Sequence, residues 1–135
     1  RLCEDPETEP HWSLRLDAAD IIGFICKTWG TAYQTIVPRV TRTLAKTLGD
    51  AEKPLTSHYG AIVGLAALGP MTVQSVLIPV VPAYLKALGI EGVPMNEGAQ
   101  LPLETRKCWE ALRDAVNLWR PYAEPSELST VSSYF

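Results

Sequence analysis

Two stretches of this chain, about forty residues apart, are variants of one another. Ile36-Val37-Pro38-Arg39-Val40 resembles Leu77-Ile78-Pro79-Val80-Val81 at an offset of 41, and Leu44-Ala45-Lys46-Thr47-Leu48-Gly49 resembles Tyr84-Leu85-Lys86-Ala87-Leu88-Gly89 at an offset of 40. The segments ahead of them close alike, with Trp29-Gly30 and Leu68-Gly69 standing 39 apart. Duplication at this period, with two helices per unit, means helix pairs that cannot hide their apolar faces alone. Neighbouring pairs must stack to build one continuous core. Chance similarity within a helical bundle is the alternative. No run of four or more β-branched residues alternates cleanly with polar ones, so no strand competes.

The spacing predicts helix one over 10–29, opened by Pro10 and stopped by Gly30, with Leu14, Ala18, Ile21, Ile22, Ile25 and Trp29 as its apolar stripe. Helix two is expected over 32–48 with the stripe Val37, Val40, Leu44 and Leu48. Helix three runs from Pro54 to Gly69. Helix four covers 71–88 and bends near Pro79 and Pro82, because an interior proline removes a donor and clashes with the preceding turn. A patternless loop, 90–101, leads to a helix over 102–120 whose Cys108, Leu112, Ala115 and Trp119 share one face. Residues 121–135, Ser-rich at their end, read as a C-terminal tail. The expectation is an all-α, HEAT-like α-solenoid fragment: one pair over 10–49, a second over 50–89, and one further helix. Residues 1–9 read as a truncated N-terminus.

Helix three carries two glycines four apart, Gly60 and Gly64, with Ala67 further along the same face. Each interior glycine costs about 1 kcal/mol relative to alanine. Two of them predict another helix backbone lying close. They do not form a phosphate loop, since no strand precedes them and no P-loop lysine follows.

Several functions are excluded on chemistry. A net charge of −3, from 12 basic and 15 acidic residues, draws the chain to neither nucleic acid nor anionic membrane. Cys3, Cys26 and Cys108 are widely spaced and odd in number, which suits buried thiols in a reducing compartment, and no secretory signal is visible. From Pro54 to Leu85 no charge occurs, but Gly69-Pro70, Pro79 and Pro82 interrupt the run. It reads as two buried helices, not a membrane span. His58 directly follows Ser57, and helical neighbours point about 100° apart, so they form no nucleophile–base pair. With no metal-ligand spacing around His11 and His58, neither catalysis, a metal, a cofactor nor a small-molecule substrate is expected. His58 and Tyr59 are expected to pack between helices with their polar atoms hydrogen-bonded. Trp12, Trp29, Trp109 and Trp119 are assigned to the core.

One surface feature is a binding candidate. Arg39, Arg42 and Lys46 are three and four apart, so they share the face of helix two opposite its apolar stripe. The strip reads either as a docking surface for an acidic partner segment or as a solvated face. Three charges neutralise few phosphates, so direct DNA contact is expected to be weak or absent.

His11-Trp12-Ser13-Leu14-Arg15, Ile25-Cys26-Lys27 and the unbroken stretch Pro54 to Gly69 resemble the C-terminal HEAT-repeat domain of TFIID subunit six, a TATA-binding-protein-associated factor, and of its paralogue in SAGA-type coactivators. The spacing of Trp12, Arg15, Tyr59, Gly60, Gly64, Leu65 and Gly69 carries the resemblance, which covers about 11–88. Extended to residues 1–9, it makes them resemble the end of a preceding repeat. Leu16 departs from the aspartate usual there, and little of the pattern continues beyond Gly89. The resemblance implies a nuclear, non-catalytic scaffold in RNA polymerase II transcription initiation that docks other subunits, with a histone-fold partner held through a domain absent from this chain. An unrelated helical-repeat adaptor outside transcription and a small helical ligand-binding domain are the rival readings.

Overall fold

The computed structural model describes residues 11–90 and 101–131, and among them there are helices and turns but no strand. Helices α1 (His11–Trp29) and α2 (Ile36–Gly49) come first in the chain. They are followed by α3 (Leu55–Ala67) and a composite helix made of α4 (Pro70–Thr72), a π-helical stretch Val73–Leu77 and α5 (Ile78–Ala87). Then α6 (Leu103–Trp119) runs into a 3-10 turn, and α7 (Pro125–Val131) follows. The central element is α3, which packs against α1, α2 and α6. The expectations for residues 1–9, for 91–100 within the loop and for the last four tail residues lie outside the described residues.

Prolines set the boundaries. Pro38 has no N–H, so it fits a first helical turn, where no backbone acceptor is waiting. That places the start of α2 at Ile36; residues 30–35 form turns instead of the helical start expected at Ala32. Pro79 likewise stands in the first turn of α5, and both prolines are exposed, so the two repeats match here. The second repeat differs in having helix ahead of its proline. There the backbone shifts to π geometry, with Ile78 N–H reaching Val73 O five residues back. A bend is expected from the sequence near Pro79 and Pro82; the irregular turn lies ahead of them in this π stretch, and the helix runs on through Pro82.

The core lies between α3, the composite helix and α6. Ile62, Leu65, Val73, Leu77, Val81, Leu85, Leu112 and Trp119 are almost wholly buried, each aliphatic contributing roughly 1.5–3 kcal/mol. The face read for the fifth helix is borne out: Cys108, Leu112, Ala115 and Trp119 all point inward. In α1 the phase is different. Its buried residues are His11, Trp12, Ala19, Gly23 and Cys26, whereas Leu14 is 58% and Ile21 60% exposed. Trp29 is also exposed, edge-on to Phe24, so of the four tryptophans only Trp12, Trp109 and Trp119 are buried. The reason is close approach: α1 meets α3 through its small residues, which turns its large ones outward. The Ser-rich tail also differs, since Pro125–Val131 is helical and Val131 is fully buried.

Candidate protein-docking site

The residues carrying the sequence resemblance gather where α1, α2 and α3 join. Trp12 meets Tyr59 edge-on with ring centroids 5.0 Å apart, and Arg15 Nε donates to His11 Nδ1 at 3.2 Å. Gly60 faces Arg15, whose Nη1 would lie 3.8 Å from an added Cβ, an ordinary contact. Gly64 receives Leu44 of α2, whose Cδ1 would come within 2.9 Å of such a Cβ. Leu65 is fully buried, and Gly69 has φ of 114° at the α3–α4 turn, a left-handed value that favours glycine. The close helix backbone expected at Gly60 and Gly64 is at neither, since Gly64 meets a side chain. Backbone approaches backbone instead at Gly23, where an added Cβ would sit 2.6 Å from the Ala67 carbonyl oxygen. These residues form a structural joint.

The second helices carry the exposed chemistry. On α2, Val37, Val40, Leu44 and Leu48 face inward to varying depth, while Arg39, Arg42 and Lys46 are all exposed on the other side. Among the described residues none of these three pairs with a carboxylate. Beside them lies a feature the sequence reading missed. α2 and α5 leave between them a furrow of about 550 Å³, walled by Ala45, Leu48 and Gly49 on one side and by Val80, Ala83 and Ala87 on the other. Arg42 stands one turn before Ala45, so the basic strip comes up to the furrow there. Lys53 lies on its edge.

His58 and Tyr84 form the polar part of the furrow. The Asp50 carbonyl can only accept, so His58 Nε2–H donates to it at 2.8 Å, and the Tyr84 hydroxyl donates to Nδ1 at 3.0 Å. Both ring nitrogens are satisfied, as expected for His58. Burial raises the Tyr84 hydroxyl far above its ordinary range and pushes the neighbouring Cys108 thiol, which donates to Leu55 O at 3.2 Å, up to about 11. Both groups hold their protons at neutral pH, and their hydrogen bonds tie α5 and α6 to α3. No cluster of three or more potential metal ligands occurs among the described residues, and no helix among them is long and apolar enough to cross a membrane.

A signal for the furrow was present. Val73, Leu77, Val81 and Leu85 repeat every four residues and are buried, while Val80, Ala83 and Ala87 make a second apolar row beside them. A helix apolar over so much of its circumference needs more neighbours than one pair supplies. The uncharged run from Pro54 to Leu85 is thus partly surface: Val80 is 39% exposed.

Stacked helix pairs around a shared core, with their accessible chemistry on the second helices, define a HEAT-type helical-repeat domain. Residues 1–82 match the family described as the TAF6 C-terminal HEAT repeat domain. The chain is 49% identical over 109 residues to transcription initiation factor TFIID subunit 6 of Arabidopsis thaliana, covering 80% of this chain and 20% of that protein. It is 35% identical over 127 residues to the SAGA complex/transcription factor TFIID complex subunit Taf6 of Schizosaccharomyces pombe, covering 94% of this chain and 28% of that protein. A TAF6-like RNA polymerase II p300/CBP-associated factor-associated factor 65 kDa subunit 6L from Mus musculus is 43% identical over 74 residues, 55% of this chain and 12% of that protein. The chain belongs to the TAF6 C-terminal HEAT repeat domain family. It spans about a fifth to somewhat over a quarter of the first two relatives. The fission yeast alignment carries similarity past Gly89, further than the sequence pattern did.

Proposed function

We propose that this chain is the scaffold portion of a nuclear subunit of a TFIID- or SAGA-type transcription initiation complex, and that it holds other subunits without catalysing a reaction. Family membership supports the setting, since relatives are named as subunits of those complexes. A histone-fold partner would be engaged through a part of the protein outside this chain.

The observation that carries the docking role is the strip Arg39, Arg42 and Lys46, exposed and unpaired among the described residues on the helix face away from the core. Holding three like charges along one helix face is mildly unfavourable unless a partner of opposite sign meets them. An acidic protein segment fits that description. DNA fits it poorly, because three phosphate contacts give a salt slope of only about −3 on logarithmic axes and correspondingly weak binding.

The test is the triple reversal Arg39→Glu, Arg42→Glu and Lys46→Glu in the full-length protein, followed by quantitative recovery of co-purifying subunits. Recovery is expected to fall with Tm within about a degree or two of wild type, since exposed changes leave stability within roughly 0.5 kcal/mol. Undiminished recovery removes the strip from the docking surface.

A further inference from the structure

We propose that the furrow between α2 and α5 seats a short acidic amphipathic helix of a partner protein, its apolar side chains entering the furrow and its carboxylates meeting Arg42, Lys46 and Lys53. The inference rests on the reading of this chain as a docking domain, and it names the occupant.

The furrow's chemistry selects apolar anchors. Its walls are aliphatic, and Val80, Ala83 and Ala87 are all accessible. The ring nitrogens of His58 are already taken by Asp50 O and Tyr84, so the histidine offers no free polar atom to orient a small polar ligand. At about 550 Å³ the space suits several side chains from one helix face.

Secondary structure selects the form of the occupant. No strand edge exists among the described residues, so an extended peptide has no ladder to join. Two helices flanking a groove instead accept a third, whose anchors at i, i+4 and i+7 match the spacing of Val80, Ala83 or Tyr84, and Ala87.

Charge selects the sign. Residues 36–90 carry five Lys or Arg and two Asp or Glu, whereas the rest of the chain carries seven and thirteen. The two acids, Asp50 and Glu52, sit at one end of the furrow, and the Asp50 carboxylate there accepts Glu52 N–H at 3.0 Å. The furrow lies in the basic part of an acidic chain. Electrostatic complementarity then favours an acidic visitor and repels a basic one.

The experiment titrates full-length protein against a labelled helical peptide bearing leucines at i, i+4, i+7 and i+11 with glutamates on both flanks. Saturable binding is expected. It should weaken by about tenfold or more when the leucines become serines, when the glutamates become lysines, or when the protein carries Ala83→Glu with Ala87→Glu. Both alanines are exposed, so Tm should hold; if it falls, Val80→Ser, which only thins the wall, is read in its place. Equal binding of the lysine peptide, binding indifferent to the furrow changes, or no saturable binding overturns the proposal. So does a loss of self-association in the A83E/A87E protein, which would assign the furrow to a second copy. Complex assembly by the charge-reversed strip is a separate readout: if that assembly falls while no peptide binds, the furrow assignment fails and the scaffold reading stands.

Discussion

Gly23 and Gly60 look equivalent as interior helical glycines, yet their surroundings are opposite. A methyl group on Gly23 would press on the Ala67 backbone, 2.6 Å from its carbonyl oxygen and 3.0 Å from its Cβ, and neither can swing away. Gly23→Ala is expected to destabilise the domain by about 1–3 kcal/mol in urea unfolding. Gly60→Ala meets only the Arg15 guanidinium, at an ordinary 3.8 Å, and should be neutral or stabilising by up to about 1 kcal/mol. The contrast shows where residue-level reading stops. Interior glycines signalled close packing, but large apolar residues marked the buried face of α1, and a tight helix crossing buries the small ones. A second residue-scale prediction concerns pH. Burial raises the Cys108 thiol from 9.0 to about 11, so the folded state holds this proton more tightly than the unfolded chain. Its contribution is complete below pH 9 and is lost as pH rises towards 11, on the order of 2 kcal/mol. Tyr84, raised for the same reason, adds to the loss at higher pH. Urea midpoints measured between pH 8 and 11 should fall, and Cys108→Ala should flatten the earlier part of that fall. A flat wild-type profile contradicts the burial argument.

Elements whose boundaries are fixed by proline or glycine, and whose apolar rows are made of large residues, were legible. The inward face of α6 and the run of α3 came directly from spacing. The start of α2 was displaced because Pro38 acts as a first-turn residue, which a periodicity count does not weigh. The C-terminal segment was read as a tail because serine dominates its composition, although Leu128 and Val131 are three apart and both touch the core cluster. Val131 is fully buried, and α7 packs against α5. Val131→Ala is therefore expected to cost roughly 2 kcal/mol in thermal or urea unfolding. A peripheral tail would give a change within about 0.5 kcal/mol, and that result would detach α7 from the fold.

In a stack of helix pairs, an apolar face that no neighbour covers stays accessible, and among the described residues the outer face of α1 is such a face. The forty-residue period made the stacking legible, but it gave no direction for the outer face of α1. That face carries Leu14, Ile21 and Phe24, with Trp29 and Tyr33 beyond them, each at least 44% exposed. Contiguous apolar surface of this kind is uncommon on a solitary domain and drives association. The 135-residue chain alone is accordingly expected to self-associate as concentration rises, by light scattering on a sizing column. Ile21→Lys with Phe24→Lys should leave it monomeric at the same concentration. Because both side chains are exposed, Tm should be nearly unchanged, which separates loss of association from loss of fold. The face is distinct from the α2–α5 furrow, so these two lysines should not alter binding of the acidic probe peptide. If they do, the outer face and the furrow are coupled through α2. If the unaltered chain stays monomeric at high concentration, the outer face of α1 is closed off in solution, and large residues pointing away from α3 no longer describe its packing.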